Sequence, residues 1–107
     1  MSIPEVDIAT FAEAHATGVT VIDVREPDEY VEGHVSGAVL IPLGQVPDRV
    51  AEVPEGETVY MVCKVGGRSM RAAEVLAAEG RDVVNVGGGT MAWIDAGHPT
   101  IAGDSPT

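Results

Sequence analysis

The chain has 107 residues, which suit one compact domain, and 45% of them are hydrophobic, enough to build a core. Its formal net charge of −11 disfavours nucleic acid and anionic lipid as partners, because both are negatively charged. Since no apolar run is as long as a membrane span and the first residues lack a signal pattern, we expect a soluble, cytoplasmic protein.

The first predicted elements are a helix and a buried strand. Apolar residues recur at helical spacing over residues 8–15, with Asp7 as a plausible N-cap and Gly18 as a stop. Residues 21–24 are apolar except for one aspartate, and this pattern is typical of a buried strand. The turn signal over residues 25–28 ends this strand.

Two further strands follow, with a short helical segment between them. Residues 39–41 form the second apolar run, and residues 46–51 predict one or two helical turns with Pro47 at the start. Residues 59–62 form the third strand, which leads directly into Cys63.

The last third of the chain predicts helix, strand and helix. Residues 69–79 have a helical period, residues 83–86 form a fourth strand, and Thr90 is the expected N-cap of a last helix. From Gly97 onward the chain is polar and rich in proline, so we expect a frayed tail. Val- and Ile-rich strands interleaved with helices indicate a single α/β domain with a mostly parallel sheet covered on both faces.

Cys63 lies at the predicted carboxyl end of a strand, where open α/β sheets bind ligands. Gly66 and Gly67 allow the backbone to curve so that its N–H groups point inward, and a helix begins near Ser69. Such a setting stabilises a thiolate and lowers the pKa of a cysteine from ~8.5 to roughly 3.5–7.5. The pattern therefore predicts that Cys63 is a nucleophile.

The basic residues are concentrated around this cysteine. Three of the six lysines and arginines fall between Lys64 and Arg71, and residues 58–73 contain no aspartate or glutamate. A local positive site on an acidic protein favours capture of a small anion. Taken alone, a single cysteine at a strand end is more often a small buried hydrophobe, and only the combination of strand end, glycines, bases and helix favours a functional site.

Metal binding and disulfide formation are disfavoured by the residue inventory. One cysteine cannot form an intrachain disulfide, and His15, His34 and His98 are far apart in sequence without ligand spacing. We expect neither a metal ion nor a cofactor.

Three segments together resemble the rhodanese-like domain family. The loop over residues 63–69 resembles the active-site loop of that family, and the similarity extends over roughly residues 21–100. The remaining matching residues are Asp23-Val24-Arg25, Glu29-Tyr30, Gly33-His34, Gly37-Ala38, Ile41-Pro42, Gly88-Gly89, Trp93 and Gly97-His98-Pro99.

The resemblance implies one rhodanese-like domain over the chain, with a largely parallel five-stranded sheet flanked by helices and a short extra strand near residues 4–6. It also implies a sulfurtransferase that moves sulfane sulfur from a thiosulfate-type anion to a thiol or protein acceptor, or to cyanide in assays. Cys63 would carry the sulfur as a persulfide. The backbone N–H groups of the loop would surround that sulfur, and its two bases would attract the donor; the loop residues are Lys64, Val65, Gly66, Gly67, Arg68 and Ser69.

The other matching residues need separate interpretations. Asp23 and Arg25 either organise the pocket through hydrogen bonds or form a structural ion pair at the strand end, and both interpretations stay open. An aspartate beside a thiolate would raise the thiol pKa unless Arg25 or Arg68 neutralised it. We interpret a further set as structural: Glu29, Tyr30, Gly33, His34 and Trp93.

Two other functions compete with sulfur transfer. Cysteine phosphatases and arsenate reductases also place a cysteine and an arginine around an anion, but with one residue more between them than the four that separate Cys63 from Arg68. A shorter loop makes a smaller cradle, better suited to one sulfur atom. The second alternative is a non-catalytic or redox-sensing rhodanese-like module, since an exposed thiolate is readily oxidised.

Overall fold

The computed structural model describes residues 2–107, which form five strands, four α-helices and two 3₁₀ helices. The strands are β1 (Glu5–Val6), β2 (Thr20–Asp23), β3 (Val39–Leu40), β4 (Thr58–Val62) and β5 (Asp82–Val86). The α-helices are α1 (Ile8–His15), α2 (Pro27–Glu32), α3 (Gly67–Ala78) and α4 (Gly89–Asp95), and the 3₁₀ helices are Leu43–Asp48 and Val50–Glu52. No helix within residues 2–107 is long and apolar enough to cross a bilayer.

All five strands form one parallel sheet in the order β1-β5-β4-β2-β3. The central strand β4 pairs with β2 on one side and β5 on the other, with Asp23 in register with Val62. Parallel neighbours bring all their carboxyl ends to the same edge of the sheet. The predicted α/β architecture with a mostly parallel five-stranded sheet is confirmed, including the short strand near residues 4–6.

The sheet is covered on both faces, and alternate residues of β4 belong to different core layers. Val59 and Met61 pack with Leu76 of α3 on one face, and Cys63 continues this layer. Val62 belongs to the opposite layer, which contains Phe11 of α1, Tyr30 of α2 and Trp93 of α4. A strand buried on both faces needs apolar residues at every position, which explains the continuous apolar run before Cys63.

Two predictions about helix ends are wrong. The last helix begins at Gly89 with Gly88 as its N-cap, so Thr90 does not cap it. The N–H of Thr90 instead donates to the carbonyl of Cys63 at 2.8 Å, and its buried hydroxyl lacks a hydrogen-bond partner within residues 2–107. Pro47 lies inside the 3₁₀ helix Leu43–Asp48 rather than at the start of an α-helix.

The prediction of a frayed C-terminal tail is also wrong. Ile101 forms a backbone bridge with His34, and the N–H of Gly37 donates to the carbonyl of Pro106 at 2.8 Å. The buried His34 ring contacts the carbonyl of Ser105 through Nε2 at 2.9 Å. The composition of this segment is polar, but long-range hydrogen bonds to residues 34–37 fix it.

Candidate active site

The candidate site lies at the carboxyl edge of the central strands. Cys63 follows β4 directly, and the N–H of Val24, just after β2, donates to the carbonyl of Val62 at 3.0 Å. This ladder places Cys63 beside the end of β2, where Asp23 and Arg25 lie. Asp23 and Arg25 thus lie at the end of the strand that neighbours the one leading into Cys63.

The sulfur atom of Cys63 receives hydrogen bonds from its own loop. The N–H of Gly66 donates to Sγ at 3.1 Å, and the hydroxyl of Ser69 donates to it at 3.3 Å. Gly66 has φ of +114°, a conformation that side-chain-bearing residues rarely adopt, and serves as the N-cap of α3. The helix thus begins at Gly67, two residues before the predicted start, and its first turn closes around the sulfur.

Hydrogen bonds from the loop lower the pKa of the Cys63 thiol by more than burial raises it. Burial, which leaves 1% of Cys63 exposed, would by itself raise the pKa of the thiol because it disfavours the charged form. Hydrogen bonds from the Ser69 hydroxyl and from backbone N–H groups of residues 69, 66 and 65 stabilise the thiolate, so the pKa of Cys63 lies below its usual value. A lowered pKa enriches the nucleophilic form at neutral pH.

Replacing Ser69 with alanine is expected to raise the pKa of Cys63, because the hydroxyl bond is the largest of the contributions that lower it. At any pH near the thiol pKa, less thiolate would be present, and the acidic limb of the rate profile would move to higher pH. Alkylation by iodoacetamide as a function of pH measures this shift. The exposed Ser36 provides the control, since Ser36→Ala should leave the profile in place. An identical profile for both variants would rule out the role of the hydroxyl.

The first turn of α4 supports the back of the loop. The N–H groups of Thr90 and Met91 donate to the carbonyls of Cys63 and Lys64 at 2.8 and 3.0 Å. This approach needs glycine at position 89, where φ is +59° and an added Cβ would lie 2.5 Å from the Cys63 carbonyl oxygen. The glycines before Trp93 therefore hold the cysteine loop and do not form a separate ligand loop.

Asn85 is a site residue that the sequence interpretation missed. It is fully buried in β5, and its side-chain amide donates to the carbonyl of Gly66 at 3.1 Å and to the Glu5 carboxylate at 2.7 Å. Both partners are acceptors, so only the amide nitrogen can face them. Asn85 thereby holds the carbonyl of Gly66, the residue whose own N–H donates to the sulfur. Its sequence signal is a polar residue within the valine-rich strand β5.

A pocket of about 360 Å³ opens beside the loop, between α2 and α4. Its lining combines charged residues with apolar ones on α4: Arg25, Glu29, Glu32, Lys64, Met91 and Ile94. Val65, at the tip of the loop, is 64% exposed and marks the outer surface of the site. The pocket is large enough for a small anion or a small thiol to approach the loop.

The two loop bases are placed differently. Lys64 is exposed and lines the pocket. Arg68 points to α2, where its Nη1 and Nη2 donate to the two carboxylate oxygens of Glu29 at 2.7 and 2.9 Å. These hydrogen bonds hold the pKa of Glu29 at about 2, so the carboxylate is charged at neutral pH.

Asp23 and Arg25 form a buried ion pair. Nε of Arg25 donates to both carboxylate oxygens of Asp23 at 3.1 Å, and Nη2 donates to Oδ2 at 2.9 Å and to the carbonyl of Gly33. Asp23 is 0% and Arg25 6% exposed. The contacts describe a structural brace between the end of β2 and the end of α2, while Arg25 also lines the pocket.

Two aromatic residues that the sequence analysis interpreted as structural, Tyr30 and Trp93, pack in the core. Tyr30 is buried, its hydroxyl donates to the carbonyl of Ala38, and its ring stacks on His34 with centroids 3.6 Å apart. Trp93 is 4% exposed and donates from Nε1 to the carbonyl of Pro99 at 2.9 Å. Glu29 differs from them, because its carboxylate reaches the cysteine loop through Arg68.

Comparison with known proteins identifies the family. The sequence pattern of the rhodanese-like domain matches residues 8–96. The chain belongs to the rhodanese-like domain family. The matched range contains the sheet strands β2 to β5 and the whole cysteine loop of this rhodanese-like domain.

Relatives of this rhodanese-like domain are named for sulfur chemistry. The "Sulfurtransferase" of Allochromatium vinosum is 31% identical over 94% of this chain and 96% of its own length. The "Thiosulfate sulfurtransferase PspE" of Escherichia coli is 39% identical over 77% of this chain and 78% of that protein. The chain spans about half (51%) of the "Putative sulfur carrier protein YrkF" of Bacillus subtilis, with 37% identity over 86% of the chain. These names support a rhodanese-type sulfur-transfer role.

A solved structure supports the same fold. The rhodanese-related protein of Thermoplasma volcanium superposes with a TM-score of 0.87 at 29% identity, over 94% of this chain and 99% of that one. The rhodanese-like domain described above is thus the architecture of both chains.

Proposed function

We propose that this rhodanese-like domain transfers sulfane sulfur from a thiosulfate-type donor to a thiophilic acceptor through a persulfide on Cys63. The main support for this proposal is that the sulfur of Cys63 lies within hydrogen-bond distance of the Gly66 N–H and the Ser69 hydroxyl. The acceptor would be a thiol in cells and cyanide in an assay, and no metal or redox cofactor enters the scheme. Relatives named sulfurtransferases support this chemistry.

The transfer proceeds in two displacements. The Cys63 thiolate attacks the outer sulfur of thiosulfate, the donor S–S bond breaks, and sulfite leaves with the bonding electron pair. Cys63 then holds a persulfide. A thiolate or cyanide attacks its outer sulfur, and the Cys63 thiolate leaves in its original form. No external oxidant is consumed, because the sulfane sulfur arrives at the oxidation level at which it departs.

The loop fits both displacements. A lowered thiol pKa supplies the attacking thiolate in the first step and a good leaving group in the second. The same backbone N–H groups that donate hydrogen bonds to Sγ would also stabilise the added sulfur, which carries the negative charge of the persulfide. Lys64 at the pocket adds a positive charge that attracts an anionic donor.

Intact-mass analysis after incubation with thiosulfate tests this proposal. We expect the protein to gain the mass of one sulfur atom and to lose it again on treatment with cyanide or a reducing thiol. Prior alkylation of Cys63 should prevent the gain, since the protein has no other cysteine. A protein that gains oxygen on exposure to peroxide, but never sulfur from a sulfane donor, would instead be a redox-sensing module.

A further inference from the structure

The charge of Arg68 is already partnered inside the protein. Both carboxylate oxygens of Glu29 accept from its guanidinium, at 2.7 and 2.9 Å, in a two-pronged ion pair. The side chains of Arg68 and Glu29 are 34% and 27% exposed, so the pair is partly shielded from water. Near the cysteine, the positive charge of the arginine is therefore largely cancelled by a negative charge held beside it.

Glu29 is fixed in this position by its own helix. Its Oε1 accepts from the N–H of Glu26 at 3.0 Å, which forms the capping box at the start of α2. Glu29 also lines the pocket together with Lys64. The carboxylate is thus part of the surface of the pocket beside the cysteine loop.

The charge of Arg68 also acts on the reacting sulfur. The Glu29 hydrogen bonds are the main cause that raises the pKa of Arg68, and the charge of the Cys63 thiolate raises it further. Arg68 and the thiolate therefore interact electrostatically, and Glu29 is the hydrogen-bonded partner of that arginine. A negative charge at the pocket opposes an anion in proportion to the charge that the anion carries.

We propose that Glu29 is a specificity-determining residue, which lowers the affinity of the site for doubly charged donors and so favours singly charged sulfane-sulfur donors such as organic thiosulfonates. This assignment rests on the sulfur-transfer function proposed above. It gives a specificity role to a residue that the sequence alone presents as structural. The cause is the geometry of the Glu29–Arg68 pair at the pocket that Lys64 also lines.

Thiosulfate and an organic thiosulfonate undergo the same displacement and differ mainly in charge. In both cases the Cys63 thiolate bonds to the terminal sulfur and the donor S–S bond breaks. The leaving group that takes the electron pair is sulfite from the thiosulfate dianion and a sulfinate from the thiosulfonate monoanion. The ratio of kcat/KM for the two donors therefore reports how the site treats the additional negative charge.

The test compares Glu29→Gln with the wild-type protein, using thiosulfate and methanethiosulfonate. Glutamine keeps an acceptor for the capping box, so α2 should remain intact. We expect the kcat/KM ratio of thiosulfate to methanethiosulfonate to rise about 3- to 10-fold, chiefly through KM, as expected for removal of one nearby surface charge. The increase should shrink at high ionic strength.

Asp28→Asn is the matched control. It removes one negative charge from the exposed face of the same helix, and Asp28 is not among the residues that line the pocket. Its donor ratio should stay within about 2-fold of wild type at physiological salt, where surface charges are screened over about 8 Å. An equal rise in both variants would overturn the proposal, because total charge rather than Glu29 would then set the ratio.

Arg68→Gln separates charge cancellation from loss of structure. This variant exposes the Glu29 carboxylate without its partner, so the donor ratio should fall below that of wild type, whereas the double variant Glu29→Gln/Arg68→Gln should return it to near the wild-type value. In a Cys63→Ser background, the dissociation constant of thiosulfate gives the same comparison without turnover. Unchanged ratios in Glu29→Gln, with both donors still sulfurating Cys63 of the wild type, would overturn the role of Glu29 alone. Failure of both donors to sulfurate the wild type would overturn the proposed function and this assignment with it.

Discussion

Replacing Cys63 with serine is expected to abolish sulfur transfer, with a loss of roughly 10³-fold or more, as for removal of an essential nucleophile. Oxygen cannot form the persulfide. A serine hydroxyl is also far less acidic than the Cys63 thiol, whose pKa lies below its usual value, so it supplies no anion to attack the donor. The two residues are close in size, so the loop and the core around position 63 should keep their packing. Steady-state cyanide-dependent thiocyanate formation measures the rate.

The stability of the variant is the necessary control. The midpoint of thermal unfolding should remain near that of the parent, which separates loss of the nucleophile from loss of the fold. Cys63→Ala provides a second substitution that cannot hydrogen bond at all and should be equally inactive. Retention of the parent rate by either variant would show that sulfur does not pass through Cys63.

Replacing Arg25 with methionine is expected to reduce the free energy of unfolding by about 3–5 kcal/mol, the usual cost of leaving a buried charge without its partner. Asp23 is completely buried, and the Arg25 guanidinium satisfies both of its carboxylate oxygens. The hydrogen bond from Arg25 to the Gly33 carbonyl would be lost as well. Urea denaturation monitored by circular dichroism measures the change.

Arg49 offers a matched control for this loss. It forms an ion pair with Glu52 at 2.7 Å, but the two side chains are 30% and 53% exposed. Arg49→Met should therefore cost at most about 1 kcal/mol, because water already solvates both charges. If the two variants lost the same stability, the Asp23–Arg25 pair would not act as a buried brace. If folded Arg25→Met also formed the Cys63 persulfide at the parent rate, the structural interpretation of the pair would prevail over a role in the pocket.

The sheet and the cysteine loop could be predicted because their signals are local. The largely apolar runs over residues 21–24, 59–62 and 83–86 reflect strands buried on both faces, and parallel strands bring their carboxyl ends together. The glycines after Cys63 predict a tightly curved loop, and in the structure Gly66 adopts a positive φ. A strand end, an arc and a helix start occur within a few residues of each other, so no long-range information was needed.

The features that could not be predicted from the sequence depend on contacts between distant parts of the chain. Arg68 meets Glu29 across 39 positions, and Asn85 reaches Gly66 across 19. Neither pairing leaves a periodic pattern, and a basic residue in a loop is equally compatible with free and paired states. The docked tail was missed for the same reason, because polar composition reports solvent preference but not the backbone bonds that His34 and Gly37 supply.

The contact between α4 and the cysteine loop limits how far the site is modular. A graft of residues 63–69 into another α/β scaffold would carry the donors to the sulfur but not the N–H groups that hold the carbonyls of Cys63 and Lys64. It would also need glycine at the position of Gly89, where any Cβ collides with the loop backbone. The smallest transplantable site is therefore discontinuous, and a redesigned library that randomised residue 89 should return glycine even though that residue never touches the sulfur.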